Sequence, residues 1–331
     1  MPYRYAPMLK TKAGEAVALE NLTPAVKART FPILHITTKL SPSFQKRLGP
    51  AWSGLPLAVD GKFNFSQHGT PVAFTSLIQA LRSSGVLAMP AVTWGDPVGY
   101  YQAAIAEAAL HGMVIKTNLT DLPATMAWLS SPGWNPAFID LVVDIGHVPG
   151  LNPALIGGMV QLQVTAHQSM LSTFRSRTLV GASAPKDHGP LAYGLNSVPR
   201  NEWLVWSAIH ASLPVRFDYG DYGTGHPDLT EPPGAAMSKA TVSARYTLAG
   251  DWVIIKGRSI SGPYGLPMSQ QYHAHAQMLS THPQFGGVLG CWADGRIQQI
   301  AAGGGANSGS RQSWSEIAVN RHISKIVDML P

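Results

Sequence analysis

Cysteine is nearly absent from this 331-residue chain. The single Cys291 excludes an internal disulfide framework and any cysteine-rich zinc site, and it fits a reducing compartment. Charge is scarce as well: 13% of residues are charged against 45% hydrophobic, which excludes global disorder and provides for a large core. No apolar run approaches the ~18 residues of a membrane span. Residues 1–12 lack the apolar stretch of a secretory signal, so the expectation is a soluble, cytoplasmic protein with no membrane partner. Common catalytic signatures are missing too. There is no Gly-x-Gly-x-x-Gly after the first strand, no P-loop, no His-Glu-x-x-His and no Gly-x-Ser-x-Gly. His273 and His275 stand two apart, a spacing that points them away from each other on a helix and makes a poor zinc pair.

The charge that is present is unevenly placed. Residues 1–62 hold nine of the 24 basic groups and three of the 18 acidic ones, so the whole net charge of +6 lies near the N-terminus. Such an excess suits a surface facing nucleotide, phosphate or nucleic acid, and it equally suits a solvated face.

Apolar segments of strand length alternate with helical patterns along most of the chain. Strands are expected at 5–10, 31–36, 55–60, 86–94, 112–117, 137–144, 177–183 and 215–219. Between them, helices are expected at 13–22, 43–48, 71–83, 97–111, 119–129, 153–174 and 201–212. Eight such units imply parallel pairing with right-handed crossovers, closing into a (β/α)₈ TIM-barrel-like α/β fold. A doubly wound open sheet is the alternative. After residue 223 the pattern changes to a β-hairpin over 241–256, a helix at 269–280 expected as the eighth barrel helix, and a C-terminal helix at 313–330. Residues 1–223 thus carry the barrel strands, and 224–331 complete the same domain.

The chain opens Tyr5-Ala-Pro-Met-Leu-Lys-Thr-Lys-Ala-Gly-Glu15 and continues with Ala18-Leu19, Leu22, Pro24 and Phe31-Pro-Ile-Leu. This block resembles the start of the bacteriophage and bacterial "beta family" proteins. Asp144, the Asp218-Tyr-Gly220 turn, Ala244-Arg-Tyr246 with Trp252, and Trp314 with Arg321-His322 extend the similarity over most of the chain. The sequence departs at His35, where that family would carry an acidic residue. The resemblance implies a phage, prophage or mobile-element context and supplies no reaction.

Functional groups of βα barrels sit at the C-terminal ends of the strands. Those ends place Lys10, Lys12, His35, Asp60, Trp94, Lys116, Asp144, Ser183, Asp218, Tyr219 and Asp221 at one rim. Asp60, Asp144 and Asp218 together have the oxygen chemistry for Mg²⁺ or Mn²⁺, and they equally suit pairing with Lys10, Lys116 and Arg216. Lys116 suits a Schiff base, a phosphate contact or neutralisation of Asp144. His35 suits general acid–base work or a structural hydrogen bond. In the hairpin, the cations Arg245, Lys256 and Arg258 mix with the aromatics Tyr246 and Trp252, a set able to stack and neutralise a nucleobase or a single strand, and one that equally fits an ordinary two-sided hairpin capping the barrel. The glycine run 303–309 before Arg311 suits a phosphate grip or a flexible loop. These residues lead to three expectations: a barrel binding or acting on an anionic small molecule such as a nucleotide or phosphorylated metabolite, with Asp144, Asp218, Lys116 and His35 as the catalytic set; a non-catalytic protein-interaction factor in phage–host conflict; or a nucleic-acid-binding protein.

Overall fold

The computed structural model describes residues 2–37, 42–230, 241–303 and 308–331. Eight parallel strands close into a barrel: β1 (Tyr5–Lys10), β2 (Ile33–His35), β3 (Pro56–Asp60), β4 (Leu87–Thr93), β5 (Met113–Asn118), β6 (Ile139–His147), β7 (Ser176–Ala182) and β9 (Asp218–Asp221). Closure is made by β9, which pairs with β7 (Thr178 opposite Asp218) and with β1 (Tyr5 opposite Tyr219). Seven of these strands fall where the alternation puts them. The eighth lies three residues later than expected.

Each strand sends alternate residues inward. Ala6, Met8, Ile33, Ala58, Met89, Ala91, Val114, Val142 and Val180 fill the barrel interior. The intervening positions, such as Leu9, Leu34, Leu57, Val59, Ile115, Leu141, Val143 and Leu179, pack outward against the helices in a larger core. The helices α1 (Ala13–Glu20), α2 (Pro24–Ala28), α3 (Pro42–Ala51), α4 (Lys62–His68), α5 (Val72–Ser83), α6 (Val98–Ala108), α7 (Leu122–Leu129), α8 (Pro153–Ala166), α9 (Gln168–Leu171) and α10 (Asn201–Ile209) form the outer ring.

Three departures from the expected layout matter for the site. Between β7 and α10 the chain lays down β8 (Gly194–Pro199), a half-exposed strand that the sequence pattern did not reveal. It pairs with β11 (Asp251–Lys256), whose other neighbour is β10 (Ser243–Thr247), so the expected hairpin is two-thirds of a three-stranded antiparallel sheet. The helix Met268–Ser280, here α11, packs against α12 (Trp292–Ala301) and β10, not into the barrel ring. The eighth-helix position belongs to α13 (Arg311–Met329), which packs on α1 and β1. The reason is the apolar face: Val319, Ile323, Ile326 and Val327 join the barrel core, while Trp314 and Ile317 join the core of the added sheet. This one helix therefore bolts the sheet to the barrel.

Gly112, between α6 and β5, has φ +83°, and a Cβ there would collide with the Phe138 carbonyl. Gly112→Ala is expected to lower the stability to urea by about 2–3 kcal/mol, since both the left-handed backbone and the collision penalise a side chain.

Candidate functional site

Where the interior apolar rows end, the same inward positions turn polar. Lys10 stands two residues past Met8, His35 two past Ile33, Asp60 two past Ala58, Lys116 two past Val114 and Asp144 two past Val142. Tyr222, just beyond β9, packs on the same interior row. The period of two thus gathers these groups into one polar layer at the C-terminal mouth.

Within this layer Lys116 forms an ion pair with Asp60, and His35 Nδ1 lies 3.4 Å from Asp60 Oδ2. The Lys62 amide donates to Asp60 Oδ1 at 2.9 Å. Tyr222 donates to Asp144 Oδ2 at 2.5 Å, and the Gly146 amide to Asp144 Oδ1 at 2.8 Å. The Tyr222 and His35 rings stack with centroids 6.3 Å apart.

The two carboxylates are held in opposite senses. Burial pushes both up. At Asp60, Lys116, His35 and the Lys62 amide outweigh it and bring the group down to about 2. At Asp144 burial wins over the Tyr222 and Gly146 hydrogen bonds and over Lys116, so its pKa is raised. Burial, with Lys116 and Lys10 nearby, brings His35 down to about 4 against the pull of Asp60, so the imidazole is neutral at neutral pH. The Asp60 carboxylate 3.4 Å from Nδ1 favours the tautomer with its proton on Nδ1, which leaves Nε2 as the acceptor. That Nε2 is buried and has no hydrogen-bond partner among the described residues.

Above this layer is a cavity of about 220 Å³ walled by Lys10, Lys12, Glu15, His35, Tyr222 and Arg245, with Ser315 and Val319 of α13. The segment 224–229 forms its cover. Lys10 Nζ donates to the Asp228 carbonyl at 2.9 Å, Lys186 pairs with Asp228 at 2.5 Å, and His226 packs edge-on against His147 at 4.3 Å. Arg245 donates to the Thr224 carbonyl and, at 3.0 Å, to His188 Nε2. That donation makes His188 Nδ1 the proton carrier toward Ser243 Oγ, 2.8 Å away. Ser243 therefore receives a hydrogen bond instead of losing a proton to the ring, and the pair is not set up as a nucleophile with its base.

The structure thus brings together Lys10, Lys12, His35, Asp60, Lys116, Asp144 and Arg245. Asp218 is elsewhere. It opens β9 at the opposite end of the barrel, where its carboxylate accepts from the Arg4 amide (3.1 Å) and Arg4 Nε (3.2 Å) and pairs with Arg216 (3.2 Å). The three-residue offset of β9 accounts for this, because at ~3.3 Å per residue it moves the side chain about 10 Å along the strand. The expected carboxylate trio for Mg²⁺ or Mn²⁺ therefore does not converge. Among the described residues, no group of three or more His, Cys, Asp or Glu side chains has metal-site geometry.

Tyr219 and Asp221 are also displaced from the expected role: both are about 1% exposed and sit in an internal hydrogen-bond network, not on the cavity wall. Ser183 is buried and accepts the Glu202 amide at 3.3 Å. Trp94 is half-exposed beyond β4 on the rim and does not line the cavity. Arg258 follows β11 and lines a separate groove with Tyr193 and Tyr264. Lys116 makes its ion pair with Asp60 and not with the Asp144 that the sequence suggested. Residues 304–307 of the glycine run lie outside the described residues; Ser310 beyond them caps α13 through Ser313. Sequence reasoning missed Tyr222, which an inward period of two carried past the strand end would have found. It also missed Thr224 and His226, which only the path of the covering segment brings in.

A family model described as Beta protein matches residues 5–328, so the similarity carried by the N-terminal block extends over nearly the whole chain. No curated protein matches.

Proposed function

This chain belongs to the Beta protein family, and from the geometry of its barrel mouth we propose that it binds a small organic anion there, a phosphorylated or carboxylated metabolite. Lys10, Lys12 and Arg245 receive the negative charge. His35, neutral and aimed by Asp60, accepts a hydrogen bond or proton from the ligand's hydroxyl or N–H. The observation that carries this reading is the His35 Nε2 acceptor, buried beside a cation-walled cavity without a partner among the described residues. A buried acceptor left unpaired costs about 1–3 kcal/mol, and a bound donor would recover it. The volume of about 220 Å³ falls below the ~300–1,000 Å³ of drug-sized sites, which favours a small metabolite over an intact dinucleotide.

Native mass spectrometry of the purified protein would identify a co-purified anion, and calorimetric titration would measure it. His35→Phe is expected to weaken binding about tenfold and Lys10→Met at least as much, in line with one lost hydrogen bond to a charged or well-oriented group. If both variants bind every tested phosphorylated and carboxylated metabolite as the wild type does, the reading fails. A stoichiometric protein partner recovered from host lysate, indifferent to both variants, would favour the non-catalytic phage–host factor instead. Tight oligonucleotide binding with a steep salt dependence would favour nucleic acid.

A further inference from the structure

The N-terminal end of the same barrel carries a second concentration of charge. Arg4, Arg29, Arg175, Arg177 and Arg216 converge with Asp218 around an opening of about 510 Å³, larger than the cavity at the C-terminal mouth. Five of the chain's 24 basic residues thus meet where a βα barrel ordinarily carries stabilising contacts only.

The local acids compensate part of this. Asp140 takes Arg175 in a two-pronged bond (2.7 and 3.2 Å), and Asp218 takes Arg4 and Arg216 (both 3.2 Å). Arg29 donates to the Tyr3 carbonyl at 3.1 Å and to an oxygen of Pro331 at 3.0 Å, and Arg177 donates to the Arg216 carbonyl at 3.0 Å, so both guanidinium groups are held in place. Among the described side chains, five arginines therefore gather around two aspartates. The Arg4, Arg175 and Arg216 side chains remain 34–37% exposed, so they are reachable from solvent. The Arg216 guanidinium lies over the Tyr3 ring, 4.0 Å from its centroid.

We infer that this opening is a second anion site, one that takes a small oxyanion with several oxygens, of the phosphate-ester or pyrophosphate class. The cations lining it are all arginine, whose planar fork matches phosphate oxygens in pairs. They are also held by backbone and aromatic contacts before any ligand arrives, which lowers the ordering penalty of binding. The concave shape selects a compact ligand over a nucleic-acid duplex. This inference is independent of the reading of the C-terminal mouth.

The test is titration of the full chain with pyrophosphate, against sulfate and a short oligonucleotide at matched ionic strength. Arg216→Gln is expected to weaken pyrophosphate binding about tenfold. Asp218→Asn, which removes a competing negative charge, is expected to tighten it several-fold, a change of sign that a purely structural role for Asp218 does not give. His35→Phe at the other mouth is expected to leave it unchanged. Hydrogen exchange of the wild type with and without pyrophosphate locates the site without any variant, and protection is expected at residues 175–177 and 216–218. The inference is overturned if pyrophosphate protects neither segment, if both variants bind it as the wild type does, or if the oligonucleotide binds and pyrophosphate does not.

Discussion

Replacing Asp221 by alanine is expected to cost about 3–5 kcal/mol, measured as a lower midpoint in urea or as failure to accumulate folded protein. This carboxylate is 1% exposed and accepts from Tyr5 (2.5 Å), Gly223 N (2.8 Å), Tyr219 (2.8 Å) and His322 Nε2 (2.9 Å), with Arg200 at 3.5 Å. Burial raises its pKa, but His322, Arg200 and Tyr5 together outweigh it and hold the group below the ordinary carboxylate value. His322 passes the chain on, since its Nδ1 lies 2.9 Å from Thr247 Oγ1. Burial, with Arg200 adding to it, lowers the His322 pKa against the pull of Asp221. The ring then donates from Nε2 and accepts from Thr247.

One acid thus ties β1, β9, β10, α13 and the Arg200 cap of α10 into a single knot. Removing it leaves two phenols and an imidazole without their acceptor and takes an ion-pair partner from Arg200, in a region that water does not reach. Asp221→Asn keeps the volume and part of the bonding, so it should lose less. A loss below 1 kcal/mol for Asp221→Ala would show that the knot is not what joins the added sheet to the barrel.

Stability is expected to fall steeply between pH 6.5 and 4. Burial lowers His35 to about 4, His188 to about 3 and His275 to about 4, each from an ordinary value near 6.5. Below 6.5 the unfolded chain takes up protons at these rings while the folded chain does not. Folding therefore weakens as pH drops, and the loss is complete only below the folded values. For the nearly buried His35, the interval from 6.5 to about 4 corresponds to about 3 kcal/mol. Asp60 adds a further loss below its ordinary 3.8, as pH falls toward its folded value of about 2. Asp144 and Glu202 act with the opposite sign. Burial raises both, so they retain protons in the folded state above the ordinary carboxylate range and offset part of the loss there. Urea titrations from pH 7.5 to 4 would give the slope. His35→Gln and His275→Gln should each flatten it, and equal slopes in wild type and both variants would contradict the assignment of neutral, buried rings.

Much of this architecture was legible in the residues. Strand-length apolar runs separated by helical patterns could close only as parallel βα units, and the period of two within them predicted which side chains turn inward. That is why Lys10, His35, Asp60, Lys116 and Asp144 could be read off as one rim: each is the polar group that follows the apolar stretch of an inward row. Asp218 had the same pattern around it and was assigned to the wrong end. Alternation fixes which face a residue takes, and it is silent on where along the axis the strand engages its neighbours. Arg258 came to line a separate groove for a related reason, since hairpin pairing gives no orientation of the hairpin toward the barrel.

The sequence by itself determined the alternating βα plan, the inward and outward faces of each strand, and the polar character of the C-terminal mouth, because these follow from local periodicity. Only the tertiary structure decided the axial register of β9, the use of α13 as the eighth helix, the pairing of β8 with β11, and the Asp221 and arginine clusters. Each of those depends on contacts between residues far apart in the chain, such as Arg4 with Asp218 or Asp221 with His322, and no local pattern encodes which distant partner closes them.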